Sequence, residues 1–162
     1  MNKNDLITTL SLIEHVEGGY FCETYRSDLK IKTNREGSER TQLTSIYYML
    51  SDDRPIGYFH RNESDIIHYF HAGSSLKYLI IHPDGNLERV TLGFDIHKGD
   101  LPQLIVPGGC WKATVLEEGE FALLGEAVAP GFDYRDMEIA KPDDFCSNFP
   151  DLWNELKLYV KQ

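Results

Sequence analysis

The middle of the chain changes direction roughly every 8–12 residues, and that rhythm constrains the fold more than any other feature. Tyr20–Arg26 (YFCETYR), Leu43–Leu50 (LTSIYYML), Leu76–Ile81, Leu87–Leu92, Gln103–Val106, Trp111–Leu116 and Phe121–Val128 are short runs rich in β-branched and aromatic residues. Each is bounded by a turn signal: Ser51-Asp52-Asp53-Arg54-Pro55, His82-Pro83-Asp84-Gly85-Asn86, His97-Lys98-Gly99-Asp100, Pro107-Gly108-Gly109, Glu117-Glu118-Gly119-Glu120 and Pro130-Gly131. With the two strands of residues 57–73, this predicts on the order of ten short strands in an antiparallel sandwich or barrel. No alternation of strand and helix occurs, so doubly wound and (β/α)8 architectures are excluded. Ser27–Thr41 is polar and turn-rich and reads as a long loop.

Helical periodicity is confined to the ends. Leu6, Ile7, Leu10 and Ile13 form one apolar stripe, which predicts a helix over Asn4–Glu14 with Asn4 as its cap. His15-Val16-Glu17-Gly18-Gly19 then breaks it, as a bend or an anion cradle. At the other end Pro150 suits a first helical turn, with Leu152, Leu156 and Tyr159 or Val160 as the stripe and Trp153 beside it.

A chain of 162 residues that is 41% hydrophobic fits one domain, residues 1–162, able to bury a core without disulfide or metal staples. The formal net charge of −10 makes nucleic acid and anionic membrane poor partners. Lys30–Arg35, the densest basic cluster, reads as a solvated loop. Three widely spaced cysteines, without a CxxC pair, give neither a disulfide framework nor a zinc knot. Without a signal peptide or a membrane-length apolar run, a cytoplasmic location is expected.

Chemistry concentrates in Gly57–Gly73 (GYFHRNESDIIHYFHAG), which carries three of the six histidines on two strands joined by Asn62-Glu63-Ser64. Imidazole near neutral pH ligates metals or moves protons. Strand alternation groups Ile66, His68 and Phe70 on one face and Ile67, Tyr69 and His71 on the other, so His68 and His71 cannot share one ion. His15, His82 and His97 lie beside turns and are expected to see solvent. P-loop, GxGxxG, HExxH and GxSxG motifs are absent.

A histidine after a glycine, a second glycine closing the segment and a later Pro-Gly-Gly turn resemble the cupin superfamily. Its first motif places His60 on the first histidine, Asn62 on the second, Ile66 on the glutamate and Gly73 on the closing glycine. In the second motif Pro107 and Gly109 match, and Lys112 stands at the last ligand position. The phrases EGGYFCETYRSD, SIYYML, FHRNESD, VPGGCWKA and VAPGFDYRDMEIA are similar to a small cupin-like family known as domain of unknown function 985. That resemblance covers nearly the whole chain. It implies an all-β cupin-type double-stranded β-helix (jelly roll) with short N- and C-terminal helices, and a homodimer. It leaves the activity unassigned. In that family an acidic residue and a tryptophan follow Ser-Asp, where this chain has Ile66 and His68. Of four expected ligand positions only His60 keeps a ligand type, whereas a transition metal needs three or four donors. The expectation is therefore no metal and no cofactor.

A jelly roll of this size has room for one small ligand. Strand parity makes His60, Asn62, His68, Phe70, Lys112 and Thr114 the inward candidates, with Tyr47 added by a choice of parity. Trp111, of opposite parity to Lys112, is expected between sheets or subunits. Arg26 and Arg135 offer bidentate contacts to a carboxylate or phosphate, or an ion pair with a neighbouring acid. Three functions follow. The first is a metal-independent epimerase or isomerase with His60 or His68 as base, Tyr47 or Tyr134 as acid and Lys112 stabilising an enolate. The second is a non-catalytic metabolite-binding protein. The third is a metal-dependent cupin oxygenase or isomerase.

Overall fold

The computed structural model describes residues 2–162. Among the described residues, thirteen strands and three short α-helices follow in order. Helix α1 (Lys3–Thr9) leads into β1 (Ile13–Glu14), β2 (Tyr20–Arg26), β3 (Lys30–Lys32), β4 (Glu39–Thr41), β5 (Thr44–Ser51), β6 (Ile56–Asn62) and β7 (Asp65–Gly73). Then come β8 (Leu76–Ile81), β9 (Leu87–Leu92), β10 (Gln103–Val106), β11 (Trp111–Val115), β12 (Phe121–Ala129) and β13 (Met137–Ile139), followed by α2 (Pro142–Asn148) and α3 (Pro150–Leu156).

Two antiparallel sheets carry the fold. One has the order β1-β2-β5-β12-β7-β10, the other β13-β6-β11-β8-β9, and β3-β4 form a separate hairpin. The strands β6 and β7 fall in different sheets, so Asn62-Glu63-Ser64 carries the chain from one layer to the other. The expected all-β jelly roll is observed. Between the layers lies an apolar core of Tyr48, Leu50, Phe70, Leu76, Tyr78, Ile80, Leu104 and Leu124, among others. A second cluster forms where α2 and α3 cover the outer face of the five-stranded sheet through Phe145 and Leu156 against Phe59, Leu79 and Ile81. Helix α1 covers the outer face of the other sheet, with Leu6 and the following Leu12 against Met49, Phe121 and Leu123. The strand β12 is therefore covered on both faces, which accounts for its nearly continuous apolar run.

Several boundaries differ from expectation. The first helix stops at Thr9, its cap is Asn2, whose side chain accepts the Asp5 N–H, and Asn4 lies inside it. Ser11 takes a positive φ of 53°, which ends the stripe before Ile13; that residue is exposed and pairs with Phe21 in β1-β2. The segment expected as a loop contains the β3-β4 hairpin. A buried ion pair anchors it: Arg40, 2% exposed, donates from Nε to Asp136 Oδ2 at 2.8 Å and from Nη2 to Oδ1 at 2.5 Å. Helical structure at the C-terminal end begins at Pro142, earlier than Pro150. Trp111 packs against the α2-α3 cluster on the outer face, with the Arg61 guanidinium 4.7 Å above its ring, and not between the sheets.

Candidate functional site

One end of the space between the sheets is an open cavity of ≈ 430 Å³, within the range of small-molecule sites. Two cross-strand pairs build its floor. On the six-stranded sheet Glu126 of β12 pairs with His68 of β7. On the facing sheet Lys112 of β11 pairs with His60 of β6. Alternation turns all four side chains inward. His60, Asn62, Lys112 and Glu126 line the cavity, and His68 lies wholly buried behind it.

The Glu126 side is a closed network. His68 Nδ1 stands 3.1 Å from Glu126 Oε1 and 3.1 Å from the Tyr78 hydroxyl, and its Nε2 lies 3.4 Å from Lys112 Nζ. An ammonium only donates, so His68 Nε2 accepts and its Nδ1–H faces the Tyr78 hydroxyl and the Glu126 carboxylate. Lys112 Nζ is also 3.9 Å from Glu126 Oε2. Burial alone raises the carboxyl's affinity for a proton, but the Lys112 charge and the His68 contact outweigh it and hold Glu126 below the usual carboxylate range. Burial and the same Lys112 charge keep His68 neutral.

The opposite side is unsettled. His60, 3% exposed, commits its Nδ1–H to the Tyr58 carbonyl at 2.8 Å, which leaves Nε2 with a lone pair. Glu17 Oε2 is 3.1 Å from that Nε2. Among the described residues, His60 Nε2 is a buried nitrogen with no hydrogen-bond partner. The same Oε2 lies 3.5 Å from His15 Nδ1, which already accepts the Glu17 N–H at 3.2 Å. An ionised Glu17, 8% exposed, would thus face two imidazole lone pairs. Burial pushes its carboxyl up to about 8, so at neutral pH it holds its proton, and that proton faces the His60 Nε2 lone pair. Burial and then Lys112 drive His60 well below the usual imidazole value. His15 is lowered to about 4, mainly by burial.

Glu17 belongs to no strand or helix, yet it is held firmly. Its carbonyl accepts the Tyr58 N–H at 2.7 Å, and the Gly18 carbonyl accepts the Tyr48 hydroxyl at 2.9 Å. Gly18 has φ +102°, and a Cβ there would stand 2.1 Å from the Ile56 carbonyl oxygen. Only glycine allows the turn to lie this close to β6.

The rim is formed by β2 and the Phe132–Tyr134 segment. Arg26 chelates Glu23, with Nε to Oε1 at 2.9 Å and Nη2 to Oε2 at 2.6 Å, and its Nη1 donates to the Phe132 carbonyl at 3.3 Å. Arg135 lies outside the cavity lining and pairs with Asp133 at 2.7 Å. Tyr134 is 63% exposed at the mouth.

Of the residues expected inward, His60, Asn62 and Lys112 meet at the cavity, while His68, Phe70 and Thr114 are buried without lining it. Arg26 and Tyr134 stand at the rim. Tyr47 is misplaced by the sequence reading. It belongs to the outer face beneath α1, edge-on to His71, because Tyr48 and Leu50 take the inward parity of β5. His15, expected in solvent, lines the cavity. Sequence reasoning missed Glu17 and Glu126 as site residues. The lone charge in the apolar run FALLGEAVA was a usable signal for Glu126, whereas Glu17 in a turn gave none.

Two antiparallel sheets enclosing a polar cavity at one end define a cupin fold. The family model described as Cupin superfamily (DUF985) matches residues 4–140, and the chain belongs to that family. It is 41% identical over 152 residues to an uncharacterized protein of Saccharomyces cerevisiae, covering 86% of this chain and 75% of that one. A hypothetical protein from Leishmania major superposes with a TM-score of 0.92 at 29% identity over 100% of both chains. A protein from Shewanella oneidensis does so with 0.91 at 33% identity, covering 99% of this chain and 98% of the other. Oxalate decarboxylase from Bacillus subtilis shares the fold at a TM-score of 0.54 and 18% identity, over 88% of this chain and 36% of that one.

Many cupins hold a metal ion, and the side chains at the corresponding positions here do not fit one. Ile66 lines the cavity without a donor atom, and Lys112 brings an ammonium into it. Among the described residues no three His, Cys, Asp or Glu side chains are grouped to hold one ion.

Proposed function

We propose that the cavity binds a small carbonyl compound and moves a proton at the carbon beside the carbonyl, as an epimerase or isomerase does, using the chain's own acid and base. The observation that carries this reading is the buried lone pair of His60 Nε2, 3.1 Å from the Glu17 carboxyl. Because Tyr58 holds the Nδ1–H, Nε2 is the nitrogen that can accept a proton. The substrate C–H bond breaks, its proton goes to His60 Nε2, and the electron pair moves onto the carbonyl oxygen. Lys112 is the cation available for that charge. Glu17, which keeps its proton up to about pH 8, is the acid beside it. Return of a proton to the other face or the neighbouring carbon completes the reaction. Environments that push two carboxylates in opposite directions, as with Glu17 and Glu126, commonly separate acid from base roles.

The test is solvent exchange. Small hydroxyketones, aldoses and 2-oxo acids are incubated with the protein in D2O, and deuterium at carbon is read by NMR. A substrate should exchange above the buffer rate, and His60→Ala and Glu17→Gln should each slow exchange by about 10²–10⁴-fold. Failure of every compound to exchange, or full activity in His60→Ala, sinks the reading. A molecule that binds tightly but never exchanges would leave a metabolite-binding protein in its place.

A further inference from the structure

The chemistry of the ligand is written in two features of the cavity, its charge balance and its layering. The cations in its lining, among the described residues, are Lys112 and Arg26. Lys112 is answered by Glu126 at 3.9 Å and Arg26 by both oxygens of Glu23. Asp133 at the rim is answered by Arg135. With Glu17 protonated and the histidines neutral, no unpaired positive charge remains for a phosphate. The lining includes no glycine and thus no backbone cradle of the kind that holds pyrophosphate.

The layering runs along the strands. Glu126 and His68 are cross-strand partners at the floor, and the next inward pair toward the mouth is Val128 and Ile66. Ile46, opposite Glu126 on β5, extends the apolar wall. Phe132 follows at the mouth, edge-on to Tyr134 with ring centroids 5.0 Å apart. A polar floor thus sits beneath an apolar and aromatic collar.

We propose that the cavity takes an uncharged amphipathic hydroxycarbonyl compound, its hydroxyl–carbonyl head at His60 and Lys112 and its apolar body against Val128, Ile66 and Phe132. The hydroxyl can hydrogen-bond to His60 Nε2 and the Glu17 carboxyl, which stand 3.1 Å apart, and the carbonyl oxygen accepts from Lys112. The collar rewards an apolar substituent by removing it from water. Nucleotide-linked sugars are excluded by the same features, since a diphosphate would enter a charge-balanced site with no free cation to pair it. The inference rests on the reading of this cavity as the ligand site.

Three probes test it on the intact chain: 2-hydroxy-1-phenylpropan-1-one, glyceraldehyde and uridine diphosphate glucose. The first two share a head and differ in the body, and the third is a polyanion. Titration calorimetry should show the phenyl compound binding at least tenfold more tightly than glyceraldehyde, about 1.4 kcal/mol, with no binding of the nucleotide sugar. Phe132→Ala should shrink that tenfold gap. Equal affinities, binding of the nucleotide sugar, or no binding of any probe overturns the proposal. Deuterium exchange on the same samples separates the two claims. The expected preference without exchange defeats the proton-transfer reading alone, and exchange on glyceraldehyde without the preference defeats this one alone.

Discussion

Glu126 and Glu17 are both buried carboxylates, each within 3.1 Å of a histidine nitrogen, on different sides of one cavity. Glu126 meets the N–H side of His68 and has an ammonium behind it. Glu17 meets the lone-pair side of His60, whose own N–H is spent on the Tyr58 carbonyl. The first pair holds a charge that is fully answered, and the second avoids charge by keeping its proton. Burial is alike in the two, so the difference arises from which ring nitrogen a backbone carbonyl or an ammonium has claimed. A charge-paired network fixes geometry, and a neutral acid facing a neutral imidazole lone pair is left to move a proton.

The contrast breaks most sharply by removing the cation. Lys112→Met leaves Glu126 charged, buried and served by a neutral histidine alone. Loss of about 3–5 kcal/mol is expected, typical of stranding one member of a buried pair. Urea denaturation at pH 7 measures it, and Lys112→Met with Glu126→Gln should recover most of the loss. A single variant within about 1 kcal/mol of the parent would mean that Lys112 and Glu126 are solvated and that the two sides do not differ.

The next effect is in pH. Glu17 is raised from 4.5 to about 8, so between those values the folded chain holds a proton that the unfolded chain releases. Stability therefore falls as pH rises from about 4.5 to about 8, by on the order of 5 kcal/mol. Glu126 works in the opposite sense. Its folded value is lowered, so its contribution is present above the unfolded value and is lost as pH drops below it. His15 and His60, both lowered, also favour the folded state as pH rises toward the imidazole range. The difference between parent and Glu17→Gln, measured by denaturation from pH 5 to 9, isolates the Glu17 term. The parent should lose stability relative to the variant across that window; parallel curves would show that Glu17 ionises normally.

These two sides were unequally legible in the sequence. The strand β7 announces itself, because only one face of DIIHYFHAG has Ile66, His68 and Phe70, and that face is buried. The strand β5 does not. Both of its faces are apolar, with Tyr47 and Met49 under α1 and Tyr48 and Leu50 in the core, so parity alone could not tell them apart. The glycine frame and His60 could be read because local motifs carry them. Glu17 could not, since its burial depends on a turn pinned by Ile56, Tyr58 and Tyr48, residues distant in the chain. The β3-β4 hairpin was hidden for the same reason. Its polar strands gain their anchor from Asp136, near the opposite end of the chain.

The smallest effects compare neighbours on β5. The Tyr48 hydroxyl donates to the Gly18 carbonyl, one residue from Glu17. Tyr48→Phe removes that bond and leaves a carbonyl with a weaker anchor, for a loss of about 1 kcal/mol. Because the turn carries Glu17, the variant should also loosen the Glu17–His60 contact and slow any His60-dependent exchange several-fold. Tyr47→Phe changes a hydroxyl on the far side of the sheet, beside His71 and outside the cavity. Surface changes of this kind stay within about 0.5 kcal/mol, and ligand affinity should be unaltered. Thermal denaturation and calorimetric binding on the two variants decide the matter: a larger effect on binding from Tyr47→Phe than from Tyr48→Phe would reverse the parity of β5 and move the cavity wall to the other face.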